Sequence, residues 1–411
     1  MSEFYDALET RSQDERRSDH LAALKQQLQH AKANAPAYAE TLATFDVSAM
    51  NEFADLQAYP ITRKSELISK QAGMRPFGGL TAIDDGQLRY IFSSPGPIYE
   101  PQTRRDDYWR FARALFAAGF RKGDMVHNTF SYHLTPAGSM MDSGCHALGC
   151  VVIAAGVGQT ELQIQTIADL KPNAYVGTPS FLRILLEKAD ELGTDVSSIK
   201  KALVSGEAFP PSTRAFFEAR GIKASQCYAT ADLGLIAYES TADSGLILDE
   251  GVHVEIVRPG TGEVVADGEV GEIVVTTFNP DYPLLRFATG DLSAILVGDS
   301  PCGRTNRRIK GWMGRADQTA KVRGMFIHPE QVDQVAKRHP EIKRAKLVIE
   351  WIDESDQMTL QCEVVSGSAE LEQAIASSVR ELCKIRGAVK LVAVGSLAND
   401  GLVIADERKY D

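Results

Sequence analysis

Cysteine is sparse in this sequence of 411 residues. The six cysteines are scattered, without the density or the pairing of a secreted disulfide framework. They stand at Cys145, Cys150, Cys227, Cys302, Cys362 and Cys383. We therefore expect reduced thiols.

Long apolar runs and an excess of positive charge are also missing. No stretch approaches the roughly 18 uninterrupted apolar residues of a membrane span. The charged start, MSEFYDALETRSQDERRSD, lacks the apolar core of a signal peptide. The 44 lysines and arginines are outnumbered by 55 aspartates and glutamates, which gives a formal net charge of −11. These features predict a cytoplasmic protein with neither a membrane nor a nucleic-acid partner. An anionic ligand would need a local binding site, since the chain as a whole is negatively charged.

Two common kinds of active site have no support in the sequence. There is no Gly-x-Ser-x-Gly elbow, which argues against a serine hydrolase. The histidines near Cys145 and Cys150 have a spacing that fits no zinc pattern, so we expect them to be structural. These histidines are His127, His133 and His146.

Short β-rich runs alternate with helical patterns through the middle of the chain. VVIAA at 151–155, AYVG at 174–177 and KALVS at 201–205 are separated by helical stretches at 161–168 and 179–192. This alternation predicts α/β layering with parallel strands. The apolar spacing near the N-terminus predicts a helix from Asp19 to about Tyr38.

The later part of the chain has a different pattern. Residues 253–277 predict an antiparallel β-subdomain, with a turn at Pro259-Gly260. A small α+β unit follows, with helices at 329–338 and 371–383 and strands at 345–351, 358–365 and 389–394. The best boundary lies near 312–318, so we expect two domains, 1–316 and 317–411.

Polar residues and glycines follow apolar strands in four segments, which is where α/β folds place ligands. The segments are YIFSSPGP at 90–97, VSGEAFP at 204–210, CYATADLG at 227–234 and RFATGDL at 286–292. Taken alone, Thr289-Gly290-Asp291 is more typical of a solvated turn, and a single aromatic such as Tyr228 or Phe130 is as typical of a core. The ordered set therefore carries the argument.

Together with GWMGRADQTAKVRGMFIHPEQVD at 311–333, these segments resemble the phenylacetate-CoA ligase family of the adenylate-forming acyl-CoA synthetases. The resemblance covers nearly the whole chain and includes AKANAPAYAETL, VHNTFSYHLTPAG at 126–138 and VGTPSFL at 176–182. It implies a large N-terminal AMP-binding domain of parallel α/β sheets with a β-subdomain, and a small mobile α+β lid. The implied reaction joins a small carboxylic acid and ATP into an acyl-adenylate, and then passes the acyl group to coenzyme A.

The same resemblance implies nucleotide-binding residues. Asp291 would hold the ribose, because a carboxylate accepts two hydrogen bonds from a diol. Asp232 stands at the place of the family's magnesium-binding glutamate and is a hard oxygen ligand that suits Mg²⁺. The other implied nucleotide contacts, from the phosphate loop through the adenine pocket to the ribose, are Ser93, Ser94, Gly206, Glu207, Tyr228 and Arg315.

The resemblance also implies residues for the later step and for the acid. Asp317 falls at the hinge of the moving domain, although alone it is equally typical of a helix cap or a surface charge. Gly324 would leave room for the pantetheine arm of coenzyme A. A flat aromatic acid is the leading expectation, because four residues fall where relatives shape an aryl pocket. They are Phe130, Tyr132, Ala137 and Gly138.

The phosphate loop departs from the family pattern. Relatives carry a Ser-Ser-Gly-Thr-Thr-Gly-Lys-Pro type of sequence, whereas this chain reads SSPGPIYEP at 93–101. Such a loop works by aiming N–H groups, hydroxyls and an ammonium at phosphate oxygens. Pro95 and Pro97 have no N–H, the lysine is gone and Glu100 adds repulsion. We therefore expect weak triphosphate binding and weak adenylation.

Two further family features are missing. Leu402 stands where the family has a lysine that stabilises charge during adenylation, and Lys409 could substitute only if the tail is displaced. Some relatives also carry a zinc cluster built from a cysteine, a histidine and a Cys-x-Cys. At the matching positions this chain has Ser240, Ile247, Ser300 and Cys302. We expect no zinc.

Two functional hypotheses of different classes remain at this point. One is an ATP-dependent aryl- or acyl-CoA ligase, slow or specialised. The other is a non-adenylating descendant that binds nucleotide, acyl-adenylate or acyl-CoA as a sensor, scaffold or transferase. Pyrophosphate release from ATP and Mg²⁺ with a panel of aromatic acids separates them. The oligomeric state is open, with a homodimer among the assemblies expected.

Overall fold

The computed structural model describes residues 3–257, 262–316, 320–397 and 403–409. The chain forms two compact units, Met1–Met313 and Gly314–Asp411. All six cysteines are buried and unbridged. None of the helices in the described part of the chain is long and apolar enough to cross a bilayer.

The first unit combines helices with three sheets. Its helices are α1 (Gln13–Asn34), α2 (Pro36–Thr41), α3 (Lys64–Gly73), α4 (Phe111–Ala117), α5 (Ala137–Ala147), α6 (Thr160–Leu170), α7 (Pro179–Leu192) and α8 (Pro211–Glu218). Its strands are β1 (Thr62–Arg63), β2 (Leu88–Ser94), β3 (Ile98–Thr103), β4 (Met125–Asn128), β5 (Val151–Ala154), β6 (Ala174–Gly177), β7 (Lys201–Val204), β8 (Lys223–Thr230), β9 (Gly234–Tyr238), β10 (Leu246–Leu248), β11 (Val252–Val257), β12 (Gly271–Thr277), β13 (Phe287–Ser293), β14 (Ile295–Leu296) and β15 (Arg308–Ile309).

The predicted N-terminal helix is two helices that begin earlier. The hydroxyl of Ser12 accepts the N–H of Glu15 at 3.2 Å, and the Glu15 carboxylate accepts the N–H of Ser12 at 2.9 Å. This capping box starts α1 at Gln13. Pro36 then opens α2, because proline is favoured in a first turn and disrupts a helix interior.

A nine-stranded sheet dominates the first unit, in the order β14-β15-β10-β9-β8-β7-β6-β4-β5. The strands from β5 to β8 are parallel, and they include the three predicted from the sequence. From β9 onward, where the sequence analysis predicted no strand direction, the sheet is antiparallel. Only three residues join β8 to β9, too few for the crossover that a parallel pair needs. The α/β class is confirmed.

A four-stranded sheet, in the order β1-β13-β12-β11, forms the β-subdomain. The pair β11 and β12 is antiparallel, with Val252 opposite Thr277, and the predicted turn at Pro259-Gly260 lies outside the described residues. The short strand β1 runs parallel to β13, which brings the start of α3 beside it. A separate hairpin pairs β2 with β3.

The second unit is α+β, as predicted. Its elements are β16 (Ala320–Val322), β17 (Met325–Ile327), α9 (Pro329–Arg338), β18 (Ile342–Ile352), β19 (Ser355–Val364), α10 (Ala369–Cys383), β20 (Ala388–Ala393) and β21 (Ile404–Asp406). Between β18 and β19, Asp353 and Glu354 have φ values of +50° and +56°, which a tight two-residue hairpin turn requires. The strand β21, which the sequence did not predict, pairs in parallel with β18.

Candidate active site

The carboxyl ends of β4, β6 and β7 meet at one edge of the large sheet, where β5 and β6 lie on opposite sides of β4. Ligands bind at such reversals of strand order. A Cβ on Gly206 would lie 3.7 Å from Thr178 and 3.8 Å from the Phe130 ring, so three strand-end loops converge there. Gly206 has a φ of +86°, which favours glycine.

Glu207 has a local partner at this edge. Its carboxylate accepts the backbone N–H of Ser180, in the first turn of α7, at 2.6 Å. A carboxylate at a helix N-terminus is stabilised by the partial positive charge there. This hydrogen bond fixes the Glu207 loop against α7. Glu207 itself is exposed to solvent.

Asp291 is held between two aromatic side chains. Its Oδ2 accepts the hydroxyl of Tyr228 at 2.7 Å, and its Oδ1 accepts the indole N–H of Trp312 at 3.0 Å. The Thr289-Gly290-Asp291 triplet lies within β13 and not in a turn after it. The structure thus connects by a hydrogen bond the two residues predicted to contact the base and the ribose. It also adds Trp312, which lies in the GWMG stretch but was not predicted as a site residue.

The predicted aryl-pocket residues lie in the loop after β4 and at the start of α5. Gly138 is buried under the ring of Tyr132, and a Cβ there would approach that ring to 2.8 Å. The hydroxyl of Tyr132 donates to Asp142 at 2.8 Å and accepts from the Asn128 amide at 2.8 Å. Burial and the neighbouring Asp142 raise the pKa of the Tyr132 phenol. The ring is thereby locked in place by two polar residues, Asn128 and Asp142, that the sequence did not single out.

The predicted phosphate loop is the tight turn of the β2–β3 hairpin. Ser94 pairs with Ile98 across the ladder, so only Pro95, Gly96 and Pro97 remain in the turn. The N–H of Ser93 donates to the Leu134 carbonyl at 2.8 Å. The N–H of Ser94 donates to a Glu100 carboxylate oxygen at 3.3 Å, and its hydroxyl donates to the other. The backbone N–H of Ser93 and both donors of Ser94, which lead into this turn, already have partners within the protein.

Three titratable side chains lie in or beside this hairpin. The Lys64 ammonium lies 2.6 Å from Oδ2 of Asp232, which is buried. Glu100 is fully buried, and the charges of both Lys64 and Asp232 act on it. Because 168 positions separate Lys64 from Asp232, no local sequence signal could predict this pair.

Magnesium was predicted at Asp232. Its Oδ1 is buried without a hydrogen-bond partner among the described residues, but Oδ2 already pairs with Lys64. No group of three or more His, Cys, Asp or Glu in the described ranges is arranged to hold a metal ion. As arranged, these residues do not fit a magnesium site by themselves, and the assignment stays a prediction.

Replacing Glu100 by glutamine is expected to stabilise the protein most at alkaline pH. Burial, reinforced by Asp232, raises the pKa of Glu100 from 4.5 to about 8. A carboxyl whose pKa rises on folding loses stability as the pH rises from about 4.5 through about 8. Thermal unfolding should give equal midpoints for both proteins below about pH 5 and a higher midpoint for Glu100→Gln above about pH 8.

The other groups that face Glu100, namely Lys64, Asp232 and Tyr282, are unchanged in this variant. The comparison therefore isolates the Glu100 carboxyl. A difference in midpoint that stays constant across this pH range would contradict the expected titration.

Two sequence-predicted residues lie in the second unit. The Arg315 guanidinium lies 5.9 Å from the centre of the Phe326 ring. Gly324 lies in the turn between β16 and β17 with a φ of +84°. The hinge residue Asp317 and the lysine-replacing Leu402 fall outside the described residues, and Lys409 is exposed.

The position of the family's zinc cluster contains a hydrogen-bonded thiol. Ser240 donates to the sulfur of Cys302 at 3.1 Å, Ser300 lies 3.2 Å from it, and Arg304 donates to it at 3.6 Å. Burial alone would raise the pKa of the Cys302 thiol, but these hydrogen bonds outweigh burial and lower it. The expectation that zinc is absent stays a prediction.

Comparison with known proteins places this chain in a family. Residues 132–279 match the model of the AMP-binding enzyme family. The chain is 32% identical over 378 residues to the phenylacetate-coenzyme A ligase of Aromatoleum evansii, covering 87% of this chain and 83% of that one. The chain belongs to the phenylacetate-coenzyme A ligase family. The family's protein from Escherichia coli K12 is 33% identical, over 80% of this chain and 78% of its own length.

Solved structures agree with this membership. A 2-hydroxyisobutyryl-CoA ligase, crystallised with its acyl-AMP and CoA, has a TM-score of 0.82 and 25% identity, covering 98% of this chain and 92% of its own. An amide bond synthetase from Marinactinospora thermotolerans has a TM-score of 0.55 at 16% identity, covering 93% and 92% of the two chains. At that identity the likeness shows the shared fold alone. The predicted family and fold are confirmed.

Proposed function

We propose that this protein is an ATP-dependent acid–CoA ligase, which joins a carboxylic acid to AMP and then transfers the acyl group to coenzyme A. Of the two functional hypotheses, the family relatives favour this ligase over the non-adenylating binder. Residues 1–316 would form the AMP-binding domain and residues 317–411 the lid. Arg315, Asp317 and Gly324 keep the roles that the family resemblance implies, as parts of this proposal.

One observation carries the proposal: Asp291 is fixed at both carboxylate oxygens by Tyr228 and Trp312. A carboxylate oxygen has more than one acceptor site, so each oxygen can still accept a ribose hydroxyl. The aromatic partners restrict its rotation and prepare it to bind a diol. Because the Tyr228 hydroxyl donates to Asp291, the Tyr228 ring is held in one orientation beside the proposed base pocket at Gly206 and Glu207.

The experiment that tests the proposal separates the two half-reactions. ATP, Mg²⁺ and a panel of aromatic acids are incubated with the protein, and pyrophosphate and acyl-AMP are measured before coenzyme A is added. We expect pyrophosphate release that depends on the acid, and an acyl-CoA product only after coenzyme A is present. The altered hairpin and Leu402 predict turnover well below the order of 10 per second that is typical of enzymes.

An aromatic acid is the proposed substrate class. The half-buried Phe130 and the locked ring of Tyr132 flank the start of α5, where the small residues Ala137 and Gly138 let the Tyr132 ring lie close to the helix. The names of the relatives from Aromatoleum evansii and Escherichia coli K12 support the same class. Mg²⁺ as the counter-ion of ATP, a cytoplasmic location and a homodimer complete the proposal.

Replacing Gly138 by alanine is expected to raise the KM for an aromatic acid about tenfold and to leave the KM for ATP unchanged. The new methyl group would meet the Tyr132 ring at 2.8 Å, and the ring cannot withdraw easily because Asn128 and Asp142 hold its hydroxyl. Such a displacement costs about 1–3 kcal/mol. Steady-state kinetics with each substrate varied in turn measures both constants.

A matched variant is Tyr132→Phe combined with Gly138→Ala. Without the hydroxyl, the ring is released from Asn128 and Asp142 and can move away from the methyl group. Part of the lost acid affinity should then return. An equal rise in the KM for ATP and for the acid in Gly138→Ala would show that this pocket does not bind the acid.

A further inference from the structure

Glu100 takes up donors that a phosphate group would need. Both of its carboxylate oxygens accept hydrogen bonds from Ser94, one from the backbone N–H and one from the hydroxyl. The N–H of Ser93 is bonded to the Leu134 carbonyl, and Pro95 and Pro97 have no N–H to offer. A nucleotide phosphate that approached this hairpin would meet few unoccupied donors.

The hairpin register explains why the carboxylate reaches Ser94. Glu100 lies opposite Phe92 and Ser94 lies opposite Ile98, so Glu100 and Ser94 are diagonal neighbours across the ladder. Long side chains reach diagonal neighbours on one face of a sheet. Because only three residues form the turn, this register leaves no extended loop that could wrap around a triphosphate.

The charges beside the hairpin favour the same arrangement. Lys64 is the cation that acts on Glu100, and it is also paired with Asp232. The carboxyl groups of Glu100 and Asp232 therefore both interact with the single ammonium of Lys64. Above about pH 8, where Glu100 is ionised, further negative charge from a β- or γ-phosphate would be repelled by both, whereas AMP lacks those groups.

We propose that Glu100 is an internal substitute for a phosphate, which occupies the Ser94 donors and makes the nucleotide site discriminate against the β- and γ-phosphates of ATP relative to AMP. A carboxylate and a phosphate present the same kind of acceptor oxygens to these donors. The proposal rests on the proposed function, since it requires a nucleotide site beside Ser94. It makes Glu100 a specificity-determining residue and explains why the hairpin can stay ordered without a bound anion.

Calorimetry with AMP and with α,β-methylene-ATP, at a pH above about 8 where Glu100 is ionised, tests the proposal. We expect Glu100→Gln to bind the triphosphate analogue about tenfold more tightly than the wild type, a change of about 1.4 kcal/mol. The affinity for AMP should be the same in both. The exposed Asp106, outside the hairpin, supplies the control, since Asp106→Asn removes one negative charge without touching Ser94.

Adding Ser94→Ala to Glu100→Gln is expected to abolish the gain, because the freed donor is then missing. If Glu100→Gln fails to unfold cooperatively, Glu100→Ala removes both acceptor oxygens, whereas glutamine keeps one, and should show at least the same gain. Two outcomes would overturn the role of Glu100 but not the proposed function. One is AMP binding with an unchanged triphosphate affinity in the glutamine or alanine variant, and the other is an equal gain in Asp106→Asn. Absence of AMP binding in the wild type and every variant overturns the proposed function as well.

Discussion

Replacing Asp291 by alanine is expected to lower kcat/KM for ATP by about 10²–10⁴-fold and to abolish measurable AMP binding. The carboxylate would lose two hydrogen bonds to the ribose, each worth about 1.5–3 kcal/mol when one partner is charged. Each 1.4 kcal/mol corresponds to a factor of ten. Calorimetry with AMP and steady-state kinetics with ATP measure the two effects.

Asp291 also holds Tyr228 and Trp312, so controls must separate ribose binding from ring placement. Trp312→Phe removes one of the two aromatic donors and leaves the carboxylate intact. We expect it to weaken AMP binding by about tenfold at most, since one hydrogen bond contributes about 0.5–1.5 kcal/mol. AMP affinity that survives in Asp291→Ala would show that the nucleotide site lies elsewhere.

Replacing Lys64 by methionine is expected to lower the free energy of unfolding by about 2–3 kcal/mol. The buried Asp232 carboxylate would be left without its ammonium partner. Removing one partner of a buried ion pair costs about 3–5 kcal/mol, and the expected loss is smaller because the Lys64 side chain is 36% exposed. Denaturant unfolding of the full chain measures the change.

Two controls sharpen this prediction. Lys188 has the same exposed fraction of 36% and pairs with the exposed Glu191, so Lys188→Met should change stability little. The double variant Lys64→Met with Asp232→Asn removes both charges and should recover most of the lost stability. A double variant no more stable than Lys64→Met would show that the lysine stabilises the fold by packing and not by its charge.

Elements with local signals could be predicted from the sequence. The helix α7 spans the predicted 179–192, because Thr178 caps it, Pro179 occupies its first turn and Gly193 ends it with a φ of +64°. The strands β5, β6 and β7 match the predicted runs for the same reason, since each is a short apolar segment bounded by turns. The family's ordered motifs pointed to Asp291 and Tyr228, which the structure brings within 2.7 Å.

Contacts between distant segments could not be predicted. Whether Glu100 reaches Ser94 depends on the cross-strand register, and the number of residues in the turn sets that register. The pairing of Lys64 with Asp232 depends on how β1 adds to the β-subdomain beside β13. Sequence reasoning assigned Glu100 a repulsive effect on phosphate, but its burial and its bonds to Ser94 emerge only from the fold.

We conclude that this member of the phenylacetate-coenzyme A ligase family activates an acid with ATP despite its altered hairpin. The most direct measurement is mass spectrometry of single-turnover mixtures containing the protein, ATP, Mg²⁺ and an aromatic acid, with and without coenzyme A. We predict acyl-AMP bound to the protein when coenzyme A is absent, and its conversion to acyl-CoA when coenzyme A is added. Tight binding of a synthetic acyl-AMP without any acyl-AMP formed from ATP and the acids would contradict the claim and identify a non-adenylating binder.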